Sequence, residues 1–488
     1  MKSTRTISFA LAALLAVGAS VSACGGSGTS ADTTAASGGD TTAADTEAAY
    51  VYPDVDLGGE EFTILNTAQT YGFYSALDFE EQTGDALDDA IYARNRKVEE
   101  QFNLNIVVNE EYQLTKANDA LSTAVLAGDD VYDVAFLREL SSTAQLTEGM
   151  FLDLQEIDNF NFDEPWWNVQ ANESVRIGDK KSMFYAYTDI SFADFEGALC
   201  VFFNEDMMAD LNLAFPYDLV REGKWTLDEL GKLMKAGANL NGQDNYTWKD
   251  DGTATYGLAS WDQACYGLFM ASGFNFIEAD KDGMPTIVPF GDAYITQMQK
   301  IISMFSVDGE YYHATGSNGT KHYEDVFKLG KTLTMIAQLK ATNKYRDMEA
   351  SFGIVPMPKK DAAQENYRCL RSFSYVMTVP VTNSIQAETG AIMDAMGYIN
   401  YTDVMDTFYN GRVSQKSLRN DDSVEMLGII RDSRVIDLGI AYGWSTNLRN
   451  TMLKGVTGKS TDVMSTLESH RSAIETSIKT VMEKLNEN

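Results

Sequence analysis

Histidine is nearly missing. The 488 residues contain three, His313, His322 and His470, which share no metal-ligand spacing and no HExxH, so no zinc site is expected. Basic residues are scarce too. Lys and Arg total 38 against 71 Asp and Glu, a formal charge of −33. No basic surface remains to neutralise phosphates, which excludes a nucleic-acid scaffold. The same deficit disfavours an anionic membrane face. The four cysteines, Cys24, Cys200, Cys265 and Cys369, form no CxxC. There is no GxGxxG, no P-loop and no GxSxG, so neither a nucleotide cofactor nor a serine hydrolase is implied. Glu278 to Gly283 opens like a calcium loop, but Pro289 stands where the bidentate Glu belongs. No metal and no cofactor are expected. Beyond the N-terminus no run of about 18 apolar residues could span a membrane.

What is there begins with an address. Lys2 and Arg5 precede an apolar run, Ile7 to Val17, too short to span a bilayer, and small residues follow. This reads as a secretory signal over residues 1–23. Val21-Ser22-Ala23-Cys24 resembles the bacterial lipobox, whose cysteine is lipidated and becomes the mature N-terminus. Residues 25–49 hold only Gly, Ser, Thr, Ala, Asp and Glu. Such a tract cannot bury enough apolar surface to offset its ordering entropy, and it suits a tether between a lipid and a folded body.

That body is too long for one core, since single cores stop growing near ~250–300 residues. It opens with an α/β alternation. Glu61 to Leu65 is a strand. Leu87, Ile91, Arg94, Val98 and Phe102 recur at helical steps. Leu104 to Val108 is a second strand, Ala117 to Val125 a second helix stopped at Gly128, and Tyr132 to Leu137 a third strand. A parallel sheet with helices on its faces follows. Its ligands belong beyond the carboxyl ends of the strands, in loops starting at Asn66 and Arg138. Later strands are expected at 199–203, 256–259, 332–337, 352–356 and 374–379. A helix is expected over 292–306, and another carries Val463, Leu467, His470, Ile474, Ile478, Val481 and Leu485 on one face. Thr226 and Glu229 read as a capping box, with Trp225 stapled onto Leu230. Cys200, Cys265 and Cys369 read as small buried hydrophobes; one disulfide among them stays open.

With these residues in view, the chain resembles the extracellular solute-binding proteins of bacterial ABC importers, in particular their family 1, carbohydrate-type group. The resemblance runs through Gly58-Gly59-Glu60-Glu61-Phe62-Thr63-Ile64-Leu65-Asn66, Gly84 to Asn95, Gly128 to Val134, Glu164-Pro165-Trp166-Trp167-Asn168, Thr188-Asp189-Ile190-Ser191, Phe203-Asn204-Glu205-Asp206, Gly223 to Asp228, Phe352 to Pro358 and Tyr442-Gly443-Trp444. It implies a two-lobed, maltose-binding-protein-like periplasmic-binding fold of type II, joined by hinge crossings. It also implies a non-catalytic, monomeric receptor on the outer face of the cell membrane. This would be held by a lipid on Cys24 and would deliver an oligosaccharide to an ABC permease. The expected lobes are 50–185 plus 330–380 and 186–329 plus 381–488, with crossings near 183–192, near 325–335 and after Val379.

A sugar offers apolar C–H faces and a ring of hydroxyls, which aromatic planes and directed Asp, Asn and Arg groups can serve. Position chooses among many. Asn66, Thr67 and Tyr71 lie just past the first strand. Asp189 sits in a crossing. Trp261, Asp262 and Tyr266 follow the strand at 256–259. Arg371 precedes the strand at 374–379, and Trp444 follows a turn glycine. Trp166 and Trp167 read as structural. A peptide or other polar metabolite is the alternative ligand, and a secreted glycoside hydrolase the remaining one, since a glycosidase needs only two carboxylates.

Overall fold

The computed structural model describes residues 50–313, 320–409 and 421–487. The signal, Cys24 and the tether lie outside the described residues. Thirteen strands occur among them: β1 (Glu61–Asn66), β2 (Asn105–Asn109), β3 (Val134–Arg138), β4 (Leu199–Asn204), β5 (Tyr256–Ser260), β6 (Ile277–Ala279), β7 (Pro285–Ile287), β8 (Tyr311–His313), β9 (Thr332–Gln338), β10 (Phe352–Pro356), β11 (Cys369–Leu370), β12 (Tyr375–Thr378) and β13 (Arg434–Val435). They build two principal sheets, ordered β12-β3-β1-β2 and β10-β4-β9-β5-β8.

In the first sheet β1 runs parallel to β2 and β3, with Leu65 opposite Ala135, and β12 closes the edge antiparallel. The helix Ala86–Phe102 covers it with the stripe that the 3.6-residue spacing foretold: Leu87, Ile91, Arg94, Asn95, Val98 and Phe102 are buried. The Asp85 carboxylate caps its start by accepting from the Leu87 amide. Arg94 is tolerated inside because its nitrogens donate to Asn400 Oδ1, the Leu77 carbonyl and Asn95 Oδ1 at 2.8–3.0 Å.

In the second sheet β4 and β9 are antiparallel while β9, β5 and β8 run parallel. All six residues of β4 are buried, the continuous apolar run of a strand covered on both faces. The helix Ala264–Ala271 is apolar all round and buried throughout.

The structure corrects the expected division of the chain. β9 and β10 belong to the second sheet, not the first, and only β12 returns to the first. Both strands are wholly or almost wholly buried, so their burial does not tell one sheet from the other. The segment 325–335 is therefore no crossing; it feeds β9 within the second sheet. The helix Gln386–Ile399 stays with the first lobe against Ala86–Phe102, where Asp394 accepts from both Trp166 Nε1 and Trp167 Nε1. That carboxylate gives both tryptophans a structural task. Thr226 makes no side-chain cap, so the capping box does not form. Trp225 is nevertheless buried, with Nε1 donating to the Pro356 carbonyl at 2.8 Å. Cys200, Cys265 and Cys369 are buried and unpaired.

Candidate functional site

Two passages between the sheets lie side by side. Ala186 bridges Met377 on the first-lobe side, and Ala198 bridges Arg371 at the entrance to the second. The Ser372 amide donates to the Gly197 carbonyl at 3.0 Å. A Cβ at Gly197 would come 2.0 Å from the Phe373 carbonyl oxygen, so only glycine allows this approach.

A buried charge cluster holds these passages. Asp194, fully buried, has Arg371 Nε at 3.1 Å and Arg434 Nη1 at 3.0 Å, and it accepts from Ser374 Oγ at 2.9 Å. Arg434 also grips Asp189 with two nitrogens, at 2.6 and 2.9 Å. Burial pushes the Asp194 carboxyl up, beyond what Arg371 and Arg434 can offset. Asp189 feels the same burial, but the bidentate Arg434 outweighs it and holds the carboxyl below its ordinary value. The guanidinium of Arg371 stacks over Tyr187, 4.9 Å from its centroid. The Tyr187 hydroxyl donates to Glu139, at the end of β3. Burial raises Glu139 to about 7, against the pull of Tyr187, Arg371 and Arg449.

Beside this cluster, the carboxyl ends of β1 and β3 and the start of β12 carry an aromatic cluster, in which Phe73, Phe373 and Tyr375 are buried. Phe373 stacks on Phe73 at 4.1 Å, meets Tyr375 edge-on at 5.1 Å and Tyr71 edge-on at 6.2 Å. Arg138 lies over Phe373 and Lys340 over Phe73. Lys340, just past β9, also donates to the Tyr71 carbonyl, so a second-lobe side chain braces the first-lobe loop. Tyr71 is 62 % exposed. It stands at φ 55° before Gly72 at φ 76°, a tight left-handed turn that lifts its ring off the body.

The remaining sequence-predicted residues fall into three groups. Asn66 and Thr67 are buried and internally engaged: Asn66 Nδ2 donates to the Ser75 carbonyl and to Glu110, and Thr67 Oγ1 to the Phe136 carbonyl. Arg371 and Asp189 serve the charge cluster. Around the second lobe's helix Ala264–Ala271, Trp261 is half-buried and stacks on Tyr323 at 5.4 Å, with Asp262 half-buried beside it. Tyr266 is buried under the Arg449 guanidinium, 5.5 Å away. Trp444 is buried against Tyr442 at 5.0 Å, and its Nε1 finds no partner among the described residues. The sequence reading missed Glu139, Phe73, Phe373, Tyr375, Lys340, Arg434 and Arg449. Only Glu139 had a signal, following Arg138 at a strand end.

No protein-family model matches the sequence, and no curated protein matches it. Solved structures do match. A sugar transporter from Rhizobium etli, in an open conformation, superposes with a TM-score of 0.57 at 13% identity, over 85% of this chain and 99% of that one. A cyclo/maltodextrin-binding protein complexed with maltotetraose gives 0.55 at 15% identity, over 87% and 97%. An ABC substrate-binding protein from Listeria monocytogenes, in complex with cycloalternan, gives 0.54 at 12% identity, over 86% and 99%. The fold is thus the maltose-binding-protein-like, two-lobed α/β fold of carbohydrate-type solute-binding proteins.

Proposed function

We propose that this protein is a lipid-anchored receptor on the outer face of a bacterial cell membrane. It captures an oligosaccharide between its lobes and hands it to an ABC permease. The observation that carries the reading is Tyr71, whose ring stands 62 % exposed at the strand ends of this fold, backed edge-on by the buried Phe373. Aromatic planes suit the C–H faces of pyranose rings, and Arg138 and Lys340 at the rim suit their hydroxyls. The proteins of like fold named above were solved with maltotetraose and cycloalternan. Trp261 and Asp262 supply the second-lobe contacts. The adjacent crossings serve as the hinge, and closure presents both lobes to the permease in one orientation. The protein binds its sugar without cleaving it.

A thermal-shift screen of the full chain against oligosaccharides, with dipeptides and amino acids as controls, tests this. A ligand at about 100 times its dissociation constant adds about 2.7 kcal/mol and raises the melting point. Glycan hits without reducing-end release support the reading. Hits confined to peptides or amino acids overturn the sugar. Cys24→Ala is expected to release the protein from the membrane; retention of the variant there would remove the anchor.

A further inference from the structure

The second lobe holds a separate aromatic cavity of about 410 Å³, within the range of about 300–1,000 Å³ typical of small-molecule sites. It lies along the outer edge of the second sheet, lined by Tyr256 of β5 and by Tyr311, Tyr312 and His313 of β8, and neither Trp261 nor Asp262 lines it. Its wall is a run of rings. Tyr256 meets Tyr312 at 4.5 Å, Tyr246 at 6.0 Å and Trp248 at 6.4 Å, and Trp248 meets Tyr312 at 5.9 Å.

The inner rings are fixed. Tyr256 Oη donates to the Tyr246 carbonyl at 3.0 Å, and Tyr312 Oη donates to the Lys321 carbonyl at 3.1 Å. Tyr246 rests on Gly309, where a Cβ would come 2.3 Å from its ring, so a turn glycine at φ 82° shapes the pocket. The outer rings, Tyr246 and Trp248, are only half-buried. Trp248 is held by Nε1 donating to Asp250 at 3.1 Å.

The charges on the lining residues cancel. Asp308 and Lys459 pair with each other at 2.6 Å. The Asp250 carboxylate beside Trp248 leaves the rim negative, and in a chain of formal charge −33 such a cavity is unsuited to a polyanion. Rigid aromatic faces, with amide, hydroxyl and carboxylate groups to accept and donate hydrogen bonds, match a neutral polyhydroxy ring. We propose that this cavity is a second carbohydrate site, which takes sugar residues of a neutral glycan on Trp248 and Tyr246 independently of the cleft. Such a site would hold a polymer at the cell surface while the cleft takes a shorter oligosaccharide.

The test is native affinity electrophoresis of the full chain through gels containing amylopectin, dextran, xylan or mixed-linkage β-glucan. The wild type and Tyr71→Ala are expected to be retarded by at least one polymer. Trp248→Ala is expected to bind about tenfold more weakly, while Trp248→Phe, which keeps a ring, restores most of the retardation. Circular dichroism and a melting curve confirm that Trp248→Ala is folded; were it unfolded, Tyr246→Ala would take its place. Retardation lost in Tyr71→Ala but kept in Trp248→Ala assigns the polymer to the cleft and overturns the second site. Absence of retardation by every polymer overturns it too, and the cleft reading then stands or falls by the oligosaccharide screen alone. Quenching of Trp248 fluorescence by choline chloride, with no glycan effect, would make the cavity a cation cage instead.

Discussion

Asp194→Asn removes one negative charge from a place where water cannot replace it. Asp194 and the Arg371 side chain are both fully inaccessible. Asp194 is the only carboxylate within 4 Å of Arg371 among the described residues. Arg434 would keep its bidentate grip on Asp189, so the cost falls on Arg371, left as a buried cation beside an amide. Breaking a buried pair in this way costs about 3–5 kcal/mol, a large share of a total stability of about 5–15 kcal/mol. The assay is urea unfolding followed by tryptophan fluorescence. Asp218→Asn serves as the control, because Asp218 is 84% exposed in its pair with Arg221 and should lose no more than about 1 kcal/mol. The double variant Asp194→Leu with Arg371→Met replaces the pair by apolar groups and is expected to recover most of the loss. A loss below about 1 kcal/mol for Asp194→Asn would show that the pair is not the lock on the crossings that its burial implies.

Other perturbations probe neighbouring parts. Glu139 holds its proton more tightly folded, at about 7, than its ordinary value of 4.5. Its contribution is therefore fully present below pH 4.5 and lost as pH rises through about 7, about 3 kcal/mol in all. Glu139→Gln should flatten that part of the stability profile, and an unchanged slope in urea titrations across this range would reject the assignment. Gly197→Ala forces a Cβ to within 2.0 Å of the Phe373 carbonyl and should cost about 1–3 kcal/mol; a melting point equal to wild type would show that the crossings can part freely. Tyr71→Ala and Trp261→Ala should each weaken oligosaccharide binding about tenfold by calorimetry, and unchanged affinity in both would dismiss the cleft walls as drawn. Ligand that leaves the radius of gyration unchanged in small-angle scattering would remove hinge closure.

The local elements were legible because each carries its own pattern. The helix Ala86–Phe102 shows its buried stripe at three- and four-residue steps, with Asp85 before it and Asn103 after it. β4 shows a buried run, and Gly128 a left-handed stop. Strand partners were not legible for the same reason that the strands were. β9 pairs with β4 on one side and β5 on the other, and burial on both faces, of Thr332 and Thr334 as of Leu333 and Met335, does not record which neighbour causes it. The assignment of 332–337 and 352–356 to the wrong sheet follows from that loss of information.

The site divides along a related line. The exposed position of Tyr71 was readable because a polar-rich turn after a parallel strand leaves the sheet at its carboxyl edge. The burial of Asn66, on the same edge, was not readable because Ser75 and Glu110, which take its amide, come from separate segments. The charge cluster was invisible altogether. Asp189, Asp194, Arg371 and Arg434 span 245 residues; Asp189 and Arg371 read as ligand candidates and Asp194 and Arg434 carry no signal, so nothing in the sequence pairs them. Only the fold shows that their segments meet where the chain passes between sheets. There a buried ionic group does something that an apolar one cannot. Its directed pairs, Arg434 to Asp189 and to Asp194, fix one register of the crossings, whereas interchangeable methyl groups would let the segments slide. A hinge between two lobes needs that registry, because both faces of the cleft are positioned by it. The desolvation of four charges is the cost that registry carries, so the cluster is better understood as a positioning device than as a source of net stability.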